Sequence, residues 1–373
     1  MNNTVKLSLA AAMVAGMVSS ANAKVSLEDA IKDVTLKGYV DYKLTKETKN
    51  DGEDREAFHD IDVRVQIDSK INDNYSMTLR VDEQEDEDDK ADSRDTSGAK
   101  NSSPLQPEID QAYITYKDGG LKVKAGLQKV VASRLHDSVN GDGIIVSNKF
   151  SDSMTVVGGY FYNQEKTGTD EIAGISVSGK AGMVQYGLTY ATIIDSEGEL
   201  TDENDGSLGD NGAKVIDLTV DTKISDALNI HGAYTTKSLD SAGAKDQDLI
   251  KLVLNGKASS VKYALGYAVA GTDGGAVSLD EDVDAAVNLQ LNEISSNDLV
   301  DDSVIYAMVG TSLTDTISGK LEYAAASDAD ATEYMLTVSN KVTKKLTLQA
   351  SYNGWDIANE ADSQMILRAK YSF

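Results

Sequence analysis

The chain has no cysteine, two prolines and one tryptophan among 373 residues. Zero cysteines exclude a disulfide scaffold and every thiol nucleophile or thiolate metal ligand. Three histidines, His59, His136 and His231, are the only side chains whose ordinary pKa suits them as a base near neutral pH. None stands at a Ser-His or metal-ligand spacing, so enzymatic chemistry has little support and no catalytic residue is assigned. Basic residues are scarce, 35 against 61 acidic ones, for a net charge of −26. Phosphate backbones need basic surface, which removes nucleic acid from the partners expected. Beyond the N-terminus no apolar run approaches the roughly 20 residues of a membrane-spanning helix.

The first residues read differently. "MNNTVKLSLAAAMVAGMVSSANA" has one cation, Lys6, an apolar stretch, and small residues at Ala21 and Ala23. That pattern is a secretory leader, residues 1–23, cleaved after Ala23. "SLEDAIKDV" follows. Ser26 leads and Asp29 sits three residues on, so residues 24–33 are expected to form a short capped helix. Residues 34–373 then make one domain without a linker-like break.

What fills that domain is strict alternation. "VTLKGYVDYKL" sets Val34, Leu36, Val40, Tyr42 and Leu44 against Lys37, Asp41 and Lys43. "DIDVRVQID" sets Ile61, Val63, Val65 and Ile67 against Asp60, Asp62, Arg64, Gln66 and Asp68. The C-terminal "QMILRAKYSF" sets Met365, Leu367, Ala369, Tyr371 and Phe373 against Gln364, Arg368, Lys370 and Ser372. Period-two alternation means half-exposed strands. Most copies run roughly 9 to 11 residues, the length that crosses a bilayer when tilted.

Connections alternate too. Asn72-Asp73-Asn74, Asp118-Gly119-Gly120, Ser151-Asp152-Ser153, Ser225-Asp226, Thr314-Asp315 and Thr343-Lys344 are tight-turn signals. Long polar stretches at 45–57, 82–107, 194–213 and 271–302 lie between them. Short turns on one side and long loops on the other describe a transmembrane antiparallel β-barrel of the bacterial outer membrane. Nineteen stretches alternate, but both termini belong on the short-turn side, which demands an even number. The outlier is "DVDAAVNLQLN" from Asp282, which reads as a helix with Val283, Val287, Leu291 and Ile294 on one face. Eighteen strands are expected, with sixteen as the alternative. All seventeen tyrosines fall within the strand segments, many near strand ends, where aromatic girdles meet the membrane surface.

Several segments resemble the Campylobacter-type major outer membrane porins. They are "VKLSLAAAMVAG…ANA", "LEDAIKDV", "GYVDY", "QAYITY", "VKAGLQ", "DSVNGDGIIVSNKFSDSMTVVGGY" and "LRAKYSF". The resemblance covers the first 165 residues and the last twelve best. It implies a homotrimeric, roughly eighteen-stranded general porin with one loop folded into the lumen. This chain is somewhat shorter than that family, poorer in tryptophan and more acidic.

A barrel this wide holds a water-filled lumen. The inward positions of early strands carry Lys37, Lys43, Arg64, Arg80, Lys122 and Lys124. The resemblance puts the inward fold in "KVVASRLHDSVNGDG". Its Asp137 and Asp142, with Arg134 and His136, are expected to face that basic wall across a constriction. The four long stretches hold 30 of the 61 acidic residues and 6 basic ones within 91 positions. An acidic rim of this kind concentrates cations and favours their passage. Calcium is the one cofactor the oxygen-rich loops could take, although the spacing matches no ordered binding loop. Partners expected are outer-membrane lipid and lipopolysaccharide, small hydrophilic solutes and ions, and the outer-membrane assembly machinery through the terminal strand. A non-conducting adhesive or structural barrel and a substrate-specific channel share the same strand features.

Overall fold

The computed structural model describes residues 34–373, apart from 50–56, 84–107, 131–139, 165–170, 195–212, 239–244, 328–330 and 358–359. Residues 152, 226 and all of 276–298 except Val277 and Ile294 are likewise outside the description. The leader, the 24–33 segment and the helical reading around Asp282 lie outside the described residues.

Eighteen strands follow one another as an antiparallel meander. They are β1 (Val34–Thr48), β2 (Phe58–Lys70), β3 (Tyr75–Glu83), β4 (Glu108–Asp118), β5 (Leu121–Lys129) and β6 (Asn140–Ser151). Next come β7 (Met154–Gln164), β8 (Glu171–Ala181), β9 (Val184–Ile194), β10 (Lys214–Ser225), β11 (Leu228–Ser238) and β12 (Gln247–Ala258). The last are β13 (Val261–Ala270), β14 (Ser303–Ser312), β15 (Ile317–Ala326), β16 (Ala331–Lys341), β17 (Leu346–Ile357) and β18 (Glu360–Ser372). β13 pairs directly with β14. β1 pairs with both β2 and β18, which closes the sheet and leaves no edge for lipid to desolvate.

Connections sort by end. Every turn after an even-numbered strand from β2 to β16 is two or four residues long, whereas the opposite end carries 84–107, 195–213 and 271–302. Local chemistry explains the short ones. The Asn72 side-chain oxygen accepts from the backbone N–H groups of Asn74 and Tyr75, both at 2.9 Å. The Thr314 and Thr343 hydroxyls accept likewise from Ile317 and Leu346 at 2.9 and 3.0 Å. Asx and Ser/Thr turns of this kind fix hairpin register without a long loop.

Register assigns each side chain to a face. Tyr39, Asp41 and Lys43 oppose Arg64, Asp62 and Asp60 on β2, and Ser372, Lys370 and Arg368 on β18. The polar phase points inward. Leu36, Val40 and Tyr42 point outward with Leu367, Ala369 and Tyr371. Only Tyr39, Tyr113 and Tyr306 take the inward phase. The outward tyrosines keep a common height: Tyr160, Tyr190, Tyr234, Tyr267, Tyr323 and Tyr352 are each the seventh residue of β7, β9, β11, β13, β15 and β17. Six residues of strand rise span roughly 20 Å, so one ring of phenols sits at a fixed level above the turns, as an interfacial girdle does.

Candidate functional site

The interior is chemically divided. From β18 through β4 most inward side chains are polar, and neighbouring strands pair many of the charged ones. Lys37 reaches Asp68 at 2.8 Å. The Arg64 guanidinium donates through Nε to Asp82 at 2.7 Å, and Arg80 pairs with Asp110. Arg368 donates from Nε to both oxygens of Asp41 at 2.8 and 2.9 Å, and Lys370 stands 3.2 Å from the same carboxylate. Between these pairs the Tyr39 hydroxyl donates to Asp62 at 2.8 Å, with the Lys370 ammonium 3.7 Å above the Tyr39 ring. Paired charges such as these hold long side chains against the wall and leave a striped surface of both signs.

Lys37, Arg64 and Arg80, read from sequence as a basic wall, thus each have an acidic partner on an adjacent strand. Lys43 shares its level with Asp60 and Arg368. Lys122 and Lys124 lie lower, at the turn end of β5, with the Lys124 ammonium 4.5 Å from the Tyr113 ring centre. Asp142 belongs to β6 rather than to the loop before it, and it shares the alternation phase of Ile144 and Val146, whose side chains are on the outer face. Its neighbour Gly143 takes the inward phase opposite Phe161, beside a bulge. Arg134, His136 and Asp137 lie outside the described residues.

From β6 to β16 the inner wall carries two apolar clusters among its polar residues. Phe161, Ile172, Ile193 and Val215 cluster there with Val130, which is 2% exposed and is the first residue after β5. The chain therefore leaves β5 toward the interior. A second cluster joins inward Leu249, Val253, Ala264, Val304, Tyr306 and Ala324 to Val277, Ile294 and Leu299 of the β13–β14 connection. That connection is fixed by polar contacts as well. Fully buried Glu333 accepts from the Ile294 backbone N–H at 3.3 Å and from the Asn353 amide at 2.9 Å. At its base Ala270 donates to Asp302, and Asp301 to Gly271, both at 2.9 Å.

Sequence reasoning pointed to one inward connection and missed this one. The signal was present: alanines, valines and leucines on the wet phase of β12–β15 mean that something apolar covers them. Of the other titratable groups, His231 meets Asp221 at 2.7 Å inside, and His59 stacks on Tyr42 outside, centroids 6.0 Å apart. Among the described residues no three His, Asp or Glu side chains converge as a metal site requires. The acidic stretches considered for calcium lie almost wholly outside the described residues.

A model of the Gram-negative porin family matches residues 8–356. No curated protein matches the sequence. Solved structures do. Pseudomonas aeruginosa OpdK with vanillate aligns over 92% of this chain and 99% of its own, with TM-score 0.67 and 10% identity. OpdQ from the same organism gives 0.67 at 9% identity over 92% and 98%, and OpdL 0.67 at 9% over 92% and 99%. At such identities the likeness is one of fold.

Proposed function

The chain belongs to the Gram-negative porin family as a multi-pass β-barrel channel of the outer membrane, and from that premise we propose that it is a general diffusion pore for ions and small hydrophilic solutes, preferring cations. What carries the reading is the continuous polar inner wall from β18 through β4 inside a closed eighteen-stranded barrel. A barrel of this size holds an aqueous path. Selection then falls to pore radius and to charge at the entrance. The acidic surplus of the loop end, 30 carboxylates against 6 cations in the four long stretches, draws cations to the outer mouth. The constriction residues proposed are Asp137 with Arg134 and His136, acting against Lys43, Arg64 and Arg80; Asp142, on the outward phase of β6, takes no part. Here the polarity is that of a mixed stripe. No cofactor enters the mechanism.

The resemblance to Campylobacter-type porins in "VKAGLQ" and "LRAKYSF" favours that branch of the family and a homotrimer. The outer wall supports a seam on β2–β6. There the tyrosine row is interrupted, with Val81 and Leu127 as the seventh residues of β3 and β5. The outward positions Ala112 and Ala125 are small, as close-packed membrane interfaces favour. Lipid and lipopolysaccharide would face the remaining tyrosine-bearing wall, and the assembly machinery would read the alternating terminal strand ending in Phe373.

Pure protein added to a planar bilayer is expected to give discrete conductance steps that close in three equal levels at high voltage. In a potassium chloride gradient its reversal potential is expected to favour potassium. A chloride-favouring potential would overturn the cation preference, and single-level closure the trimer. A substrate-specific channel is the second reading, because OpdK was solved with vanillate. Saturable block of the current by one solute class would favour it.

A further inference from the structure

The turn end of the interior carries a charge pattern opposite to that of the chain. Consider inward positions within four residues of the turn end of each strand. On β4–β6 they hold Lys117, Lys122, Lys124 and Lys149. On β8, β10, β12 and β13 they hold Lys180, Lys223, Lys257 and Lys262. Around the closure they hold Lys320, Lys341, Lys370, Lys37 and Lys70. That is thirteen lysines, and among the described residues one carboxylate, Asp68, shares the zone. In sequence the turns and strand ends add Asp73, Asp118, Asp152, Asp226 and Asp315, and Asp41 and Glu322 reach down to Lys370 and Lys320. Lysine stays in surplus.

Simple solvation does not account for this. A wet wall needs charge of either sign, and in a chain with 61 acidic and 35 basic residues carboxylates should have filled it. Sheet stability does not account for it either. Lys117 lies directly opposite Lys122, and Lys257 directly opposite Lys262; like charges so placed weaken a ladder. The lysines therefore serve what passes through the opening they encircle.

We propose that this ring is an anion-binding collar at the periplasmic mouth, taking small, multiply charged oxyanions of the phosphate and polycarboxylate class. Strand ends carry the lysines on several sides of one opening. Neighbouring lysines around it add their fields over a Debye length, about 10 Å at 0.1 M salt, and low-dielectric walls focus that field. With acid at the opposite mouth, the channel has a negative entrance and a positive exit. The inference needs only the wet interior of the channel reading, and binding at the collar can be measured without any current.

The probe is inorganic pyrophosphate, used on the full barrel. In a planar bilayer it is expected to reduce current when added to the turn-side bath and to act much more weakly from the loop side. In a variant carrying Lys117→Gln, Lys122→Gln, Lys257→Gln and Lys262→Gln, the half-blocking concentration is expected to rise about tenfold, the order that focused charge contributes. A control removes two inward cations nearer the loop end, Lys237→Gln and Lys251→Gln, and should block like the native protein. Equal block from both baths, or an equal loss in the control, would overturn the collar. Calorimetric titration of pyrophosphate into detergent-solubilised barrel separates this from conduction. Heat in the native protein that is lost in the collar variant supports the site even if no current flows; no heat, or unchanged heat in the variant, removes it.

Discussion

Leu188→Arg is expected to destabilise the folded barrel by about 2–4 kcal/mol, the cost of a guanidinium at the lipid-facing midplane. Thr189→Arg, one residue along the same strand, should change it by about 1 kcal/mol or less. Leu188 is fifth in β9 and 48% exposed on the outer face. Register puts it beside Leu218 of β10 and Val177 of β8, both of the same apolar phase. Nothing there could solvate an ion. Thr189 instead faces Asp217 and Ser176 on the inner wall, and loses only a hydrogen bond of 3.1 Å to the Ser176 hydroxyl. Folding titrations from urea into lipid vesicles read both variants. An ordering in which Thr189→Arg is the more damaging would reverse the assignment of faces.

Deleting Phe373 is expected to cut the yield of closed barrel by roughly tenfold or more, since about 1 kcal/mol accompanies each of two backbone hydrogen bonds and ring contacts add to them. The Phe373 N–H donates to the Gly38 carbonyl at 3.0 Å, and the Gly38 N–H donates to the Phe373 carbonyl at 3.2 Å. The phenyl ring also lies over Gly38: a Cβ there would stand 2.8 Å from the ring and 2.2 Å from the Arg64 carbonyl. Gly38 is thus a glycine because two other groups occupy its side-chain space, and an aromatic ring covers the gap it leaves in the sheet. These contacts seal β1 to β18, the junction that turns a sheet with two raw edges into a cylinder. Gly38→Val should fail in the same assay, heat-dependent mobility of folded barrel on a denaturing gel. Full yields from both variants would separate closure from these residues.

Much of the architecture was readable from sequence because membrane barrels obey few, strong rules. Alternation in "DIDVRVQID" and "QMILRAKYSF" gave the faces, and the turn residues gave the short end. The even-number requirement removed the stretch at Asp282, in agreement with β13 pairing to β14. The interior was less legible. Lys37, Arg64 and Arg80 looked like a basic wall because their partners Asp68, Asp82 and Asp110 each sit on the next strand. Which acid meets which base depends on cross-strand register, and a bulge at Asp110 moves that register by one. Asp142 takes the outward phase because β6 begins at Asn140 and not after the loop. The inward turn of the β13–β14 connection was missed because the apolar positions of β12 and β14 are unremarkable strand residues taken singly. They mean something only once four neighbouring strands align them. The lysine collar is of the same kind: thirteen residues spread from Lys37 to Lys370 gather only when the cylinder closes.

The central claim is that one phase of every strand faces water and the other faces lipid. A chain without cysteine makes this directly measurable, because a single introduced cysteine is the only reactive thiol. With the channel open in a bilayer, a charged thiosulfonate reagent should react at Thr189→Cys and Asn255→Cys and step the conductance down. It should leave Leu188→Cys and Leu265→Cys untouched. Equal modification of both sets, or modification of the outer pair alone with no change in current, would contradict the account.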